Sequence, residues 1–453
     1  MKKKISEVLL FTVILFACAT ILLVFTSCKR SDVPGTPAKK FSADVAIAWV
    51  KMQQKLFVGT PDLLPHVTTR TSAYMGLTLY ESIVPGMPRY QSIASQLNGG
   101  LALPAIQHGK QYHWPASANA ALAYMLKNLL PHTTPQLLKS VDSLEADFYT
   151  KFQTGAGADE LQRSADFGKQ IAMAIFEWSK TDGGHEAYKN PFSDTYVPPT
   201  GPGKWVSTGE YPFSQPVYPY WGNNRTFIPG LAEATQPPPP PPYSEQPGSV
   251  FYNAVNEIYT MSQHLSREDS LTAKFWAYEL LNPGEVAVFE DASHAANIST
   301  QIIVLKKLSL QDAAVLYCKQ GIAANDAAIS CLKTKFHYNL VRPITYIRTV
   351  LGHSEWRPVI HTPPFPEYTS AHATISMASA SMLEDAFGRN FSFTDHSFDY
   401  SYGPRSFDSF EAYAKEAALS RLQAGIHYRF SMDEGLTQGK KVAALVNQLK
   451  FKK

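Results

Sequence analysis

The sequence predicts an all-α fold, a single helical bundle interrupted by long Pro/Gly-rich loops. Three observations carry this. Apolar residues recur at three- and four-residue spacing along most of the chain, Pro and Gly fall between those segments, and no alternating strand series or internal repeat is present. In order, the helical segments begin with "SADVAIAWVKMQQKLF", "TTRTSAYMGLTLYESIV", "PASANAALAYMLKNLL" and "TPQLLKSVDSLEADFYTKF". From about 183 to 248 the texture changes to Gly, Pro, Tyr and Trp, with six consecutive prolines from Pro237 to Pro242, which predicts an irregular surface excursion. Helical spacing resumes in "SVFYNAVNEIYTMSQHL", "DSLTAKFWAYELL", "SLQDAAVLYCKQGIAANDAAISCLKTKF" and "SFEAYAKEAALSRLQAGI". Between the last two, "TSAHATISMASASM" predicts a helix that starts near Thr369 or Ser370, ends before Gly388 and carries His372 in its first turn.

The 453 residues, 45% of them hydrophobic, suffice for a sizeable core. A net charge of +3, with no long basic run beyond the N-terminus, gives no nucleic-acid footprint. The N-terminus reads differently: "MKKK" is followed after Glu7 by an uncharged apolar run from Val8 to Phe25, then "TSC". A basic head, an apolar core and a small residue before cysteine describe a secretory signal. "FTSC" resembles a bacterial lipoprotein processing site, which makes Cys28 the expected lipidated residue; an uncleaved anchor is the alternative, since the run is just long enough to span a bilayer. The expected organisation is a signal peptide or anchor over 1–28, a flexible tether over 29–42 and one helical domain over 43–453, outside the cytoplasm and membrane-bound only through its N-terminus. Cys318 and Cys331 lie in one predicted helix, where thirteen residues at ~1.5 Å rise put them about 20 Å apart, too far for a disulfide.

Three stretches carry candidate chemistry. In "KTKFHYNLVRPITYIR", Lys335 and Arg342 are seven residues apart, which on a continuous helix puts two cations on one face until Pro343 interrupts it. "TSAH" places Ser370, Ala371 and His372 at a helix N-terminus, where unpaired backbone N–H groups favour an anion. "SRLQAGIHYRFSMDEG" supplies Arg421 and His427 on a predicted helix, with Gly425 between them. Each is weak alone; together and in this order, within about a hundred residues, they are specific.

The trio Lys335-x6-Arg342-Pro343, Ser370-Ala371-His372 and Ser420-Arg421-x5-His427 resembles the signature shared by vanadium-dependent haloperoxidases and the type 2 phosphatidic acid phosphatase superfamily, bacterial haloperoxidase-type members above all. The resemblance covers about 335–435 and implies an all-helical fold with the site inside the bundle. It also implies roles. Lys335, Arg342, Ser370, Ala371 and Arg421 would bind vanadate or phosphate, His427 would ligate vanadium or attack phosphorus, and His372 would be the acid–base. The residue chemistry agrees, because burying three unpaired cations costs on the order of several kcal/mol each and an oxyanion resolves that cost. Nearby cations also keep a histidine ring neutral and its nitrogen available.

Two positions depart from the pattern. Ala371 stands where Gly is usual, keeping the N–H but adding a methyl group, and Ser431 stands four after His427, where an Asp usually holds the imidazole; Asp433 or a backbone carbonyl is the expected substitute. Phe365, five before Ser370, looks more like chloride-oxidising members. His108, His113, His353 and His361 form no recognisable zinc motif, and Asp326 reads as a structural partner or a mate for a nearby cation. The leading expectation is a haloperoxidase with a vanadate cofactor, oxidising halide with hydrogen peroxide. The alternatives are a phosphomonoesterase that works on phosphate esters through a phosphohistidine and requires no cofactor, and a tethered oxyanion-binding protein. Binding alone gives no reason for a histidine at each end of the cage.

Overall fold

A computed structural model describes residues 34–61, 63–210, 214–278 and 291–453. Cys28, the signal or anchor over 1–28 and the first part of the tether lie outside the described residues. Helices α1 (Asp44–Gly59), α2 (Pro65–Ile83), α3 (Trp114–Leu129), α4 (Pro135–Phe152) and α5 (Ala158–Ser179) make the first half of the bundle. The excursion follows and is irregular apart from 3-10 turns and the one-turn α6 (Leu231–Ala234). The second half contains α7 (Val250–Ser262), α8 (Arg267–Phe275), α9 (Asp291–Lys306), α10 (Leu310–Tyr338), α11 (Pro343–Thr349), α12 (Ala371–Phe387), α13 (Asp399–Tyr402), α14 (Phe410–Gln423) and α15 (Arg429–Val446). A short antiparallel hairpin, β1 (Phe393–Asp395) with β2 (Arg405–Phe407), lies within it; three-residue strands are too short to leave a readable alternation in the sequence.

Helix α10 is the axis of the molecule, packing against α2 on one side and α12 on the other. Most of its 29 residues are buried, which is why its apolar positions run around much of the helix instead of forming one stripe. It crosses α2 backbone to backbone: a Cβ on Gly76 would stand 2.5 Å from the Tyr317 carbonyl oxygen, and one on Gly321 would stand 2.9 Å from the Ala73 Cα. Cys318 and Cys331 are buried free thiols on this helix, as their spacing requires. Asp326, also on α10, accepts the Phe227 and Ile228 N–H groups at 2.8 and 2.9 Å, so its service is structural: it pins the end of the excursion to the bundle. Among the described residues no helix is long and apolar enough to cross a membrane.

Candidate active site

Lys335 sits in the last turn of α10, and the helix does not continue to Arg342 as the seven-residue spacing predicts. Asn339 takes a left-handed conformation (φ +49°) as C-cap, its N–H bonding the Lys335 carbonyl at 2.8 Å, and the chain leaves the helix. The exit is buttressed by the excursion, through bonds from Trp205 N–H to the Asn339 carbonyl (2.8 Å) and from Val341 N–H to the Gly203 carbonyl (2.9 Å). Arg342 is then the N-cap residue of α11, with Pro343 at its first helical position, where a missing N–H costs nothing. The two cations converge because the chain turns back, not because they share a helix face.

The loop Phe365–Glu367 receives both. Lys335 Nζ donates to the Pro366 and Glu367 carbonyls at 3.1 and 2.7 Å, and Arg342 Nε to the Phe365 carbonyl at 2.9 Å. The Phe365 ring lies 5.3 Å from each cationic group, a desolvated cation–π arrangement. Lys335 and Arg342 are fully buried. Burial first, then Arg342, brings the Lys335 ammonium down to about 7, while Cys331 and Glu367 hold it up.

Helix α12 begins with Ser370 as N-cap, as its sequence predicts. The Ser370 hydroxyl accepts the Ala373 N–H, leaving its own hydrogen to donate, and Ala371 supplies a first-turn N–H of the kind that has no acceptor inside the helix. His372 lies in this first turn. Its Nε2 pairs with the Trp276 carbonyl just beyond α8 at 2.8 Å, and its ring stacks on Tyr278. Arg421, in the last turn of α14, donates through Nη2 to the Ala273 carbonyl of α8 at 3.0 Å and through Nε to Ser420 Oγ at 3.1 Å. Carbonyls at the end of α8 thus anchor both the third cation and the second histidine.

His427 is not on a helix, as the spacing to Arg421 suggests, but in the turn joining α14 to α15. Gly425 makes the turn at φ +82°, with the Trp356 ring packed where a side chain would go. Arg342 Nη1 donates to the Ile426 carbonyl at 2.9 Å and lies 3.3 Å from His427 Nε2. Guanidinium groups only donate, so Nε2 is the unprotonated nitrogen and Nδ1 carries the ring hydrogen. Burial, then Arg342, Lys335, His372 and Arg421, hold the His427 pKa well below its usual value, so the ring is neutral. Lys335, Arg342, His372 and Arg421 thus all lie near enough to His427 to act on its charge.

The group that orients His427 is neither Asp433 nor a backbone carbonyl. His427 Nδ1 pairs at 2.6 Å with Oε1 of Glu367, which also accepts the Tyr428 N–H at 3.0 Å. Glu367 is fully buried, and burial raises its pKa to about 7 against the opposing pull of Lys335 and Arg342. A second unexpected neighbour is His66 on α2, edge-on to the Phe365 ring. Burial and then Lys335 lower its pKa to about 3, keeping it uncharged beside the cations. The remaining histidines serve the fold where they are paired: His113 caps α3 and His353 stacks on Tyr259. Among the described residues no three His, Cys, Asp or Glu side chains cluster as a cation site. The donor set is instead that of an oxyanion: three cations, a hydroxyl, a helix N-terminus and a neutral imidazole nitrogen.

A helical bundle in which the buried Lys335 and Arg342 lie near a neutral imidazole nitrogen is an arrangement that could hold an oxyanion. Residues 315–452 match the family model of the vanadium chloroperoxidase (VCPO) second helical-bundle domain. Across 90% of this chain and 96% of its own, a bacterial vanadium-dependent iodoperoxidase superposes with a TM-score of 0.78 at 30% sequence identity. This chain belongs to the vanadium-dependent haloperoxidase superfamily. A bacterial vanadium-dependent chloroperoxidase in its holo form shares the fold (TM-score 0.64, 16% identity, 87% of this chain and 93% of that one), as does one in its apo form (0.62, 15%, 86% and 96%). No curated protein matches in sequence.

Proposed function

We propose that this protein is a vanadate-dependent haloperoxidase-type enzyme that oxidises halide with hydrogen peroxide. The observation that carries the proposal is the unprotonated Nε2 of His427, set among buried cations in a chain that follows a vanadium-dependent iodoperoxidase over nearly its whole length. Lys335, Arg342 and Arg421, with the Ser370 hydroxyl and Ala371 N–H, would hold the vanadate oxygens, and His427 Nε2 would be its protein ligand. Bound vanadate would supply the Lewis-acidic centre that activates peroxide towards halide. Conversion of halide and hydrogen peroxide to hypohalous acid and water consumes one proton. His372, in the first turn of α12, would be the residue that delivers it, as the sequence resemblance implies.

The same cage would accept phosphate, and His427 could then act as nucleophile, so the decisive test runs both chemistries in parallel. Purified metal-free protein is assayed with p-nitrophenyl phosphate alone, and with vanadate, peroxide and iodide, bromide or chloride. Halide oxidation that requires added vanadate is expected; phosphate release without halide oxidation overturns the reading. We place the enzyme outside the cytoplasm, tethered through lipid on Cys28, on the strength of the N-terminal sequence. Metabolic labelling with a fatty acid should be lost in a C28A variant.

A further inference from the structure

We propose that Glu367 is the positioning residue of His427, fixing the ring in its Nδ1–H tautomer from the loop before α12, a service the sequence pattern assigns to position 431 on α15. The inference rests on His427 being the residue that meets the oxyanion, whichever reaction follows.

Imidazole in water favours hydrogen on Nε2, so holding it on Nδ1 needs a strong acceptor at that nitrogen. Glu367 Oε1 is that acceptor at 2.6 Å, and the Tyr428 N–H on the same oxygen ties the carboxylate to the backbone beside His427. The Glu367 main chain is fixed as well: its N–H bonds the Leu340 carbonyl at 3.0 Å and its own carbonyl accepts from Lys335. Carboxylate, ring and Arg342 therefore follow one another in a hydrogen-bonded series, with the Nε2 lone pair presented on the Arg342 side.

Position 431 explains why the arrangement is exclusive. Ser431 is fully buried and lies beside Glu367, where its side chain lowers the Glu367 pKa. An acid at both positions would bury two carboxylates side by side, which forces one to stay protonated. Glutamate at 367 thus goes with a small residue at 431, and removing Glu367 leaves room and an unpaired ring nitrogen for a carboxylate from α15.

The test uses the metal-free full chain, 15N-labelled on histidine, with the tautomer of His427 read by imidazole nitrogen shifts and the affinity for added vanadate by calorimetry. In the wild type we expect hydrogen on Nδ1. E367A should shift His427 towards Nε2–H and weaken vanadate binding, which needs the Nε2 lone pair, about 10–100-fold, the range seen when a ligand histidine loses its partner. E367Q, which keeps an acceptor oxygen, should retain the tautomer, and the E367A/S431D double variant should recover both tautomer and affinity. Hydrogen already on Nε2 in the wild type, or an unchanged tautomer in E367A, overturns the proposal. A double variant no better than E367A overturns the exchange between the two positions. If E367A does not fold, the tautomer in the wild type and in E367Q decides. The tautomer is read without halide, peroxide or phosphate ester, so failure of the proposed reaction and failure of this inference are separately visible.

Discussion

At the residue scale, among the described residues, the buried cations of the site bond to backbone carbonyls, and Lys335 and Arg342 lie near the Glu367 carboxyl group. Lys335 and Glu367 both titrate near 7 and act in the same direction on an incoming anion. As pH rises through 7, Lys335 loses its positive charge and Glu367 gains a negative one, while His427 is neutral throughout. The cage therefore becomes less attractive to anions on the alkaline side. Sulfate, which does not titrate there, should bind progressively more weakly between pH 6 and 8, by up to roughly tenfold per pH unit for each linked proton. A shallower slope is expected in E367Q; a flat profile in the wild type would contradict this account. His372→Ala should lower kcat about 10²–10⁴-fold while oxyanion affinity changes much less, because its role lies in proton transfer and not in holding charge. Steady-state kinetics beside calorimetry separates the two effects.

At the element scale, the close crossing of α2 and α10 sets where Lys335 and His66 lie relative to each other. A methyl group on Gly76 would press on the Tyr317 carbonyl, which as backbone cannot move aside without displacing α10. G76A should cost about 1–3 kcal/mol, the usual range for overpacking, read from chemical denaturation. The N-terminus of α12 would have a double duty: Ser370 caps the helix, and in the proposed site its hydroxyl hydrogen would also bind the anion. S370A should therefore lose about 1 kcal/mol of stability and weaken anion binding as well, whereas S370D should keep the cap but repel an anion. Calorimetric titration with phosphate distinguishes the two variants.

At the scale of the whole molecule, elements far apart in sequence supply the proposed oxyanion site. Residues of α10, the 339–342 exit, the 365–370 loop, α12, α14 and the turn before α15 all converge there. A ligand that binds only the assembled cage stabilises it by mass action, so vanadate or phosphate should raise the melting temperature with concentration. At a thousandfold over Kd the gain is about 4 kcal/mol. A melting temperature indifferent to both anions would mean that the cage does not bind them.

The all-α class, most helices, the excursion over 183–248, the free thiols of α10 and the cap at Ser370 were legible because they depend on local periodicity, Pro and Gly placement and side-chain-to-backbone bonds over three residues. The candidate residues Lys335, Arg342, His372, Arg421 and His427 could be named because their three stretches together resemble the haloperoxidase signature. How they meet was not legible. Asn339 ends α10 early in a left-handed turn braced by Gly203 and Trp205, and Gly425 carries His427 off the helix, both through contacts distant in sequence. Glu367 was invisible for the same reason: nothing local separates it from a loop acid, and its role exists only once folding brings it to His427, sixty residues on. Sequence determined which charges this chain carries and which helices bear them. Tertiary structure alone decided which of them share a buried point, because that is set by long-range packing and the need to satisfy every buried polar group.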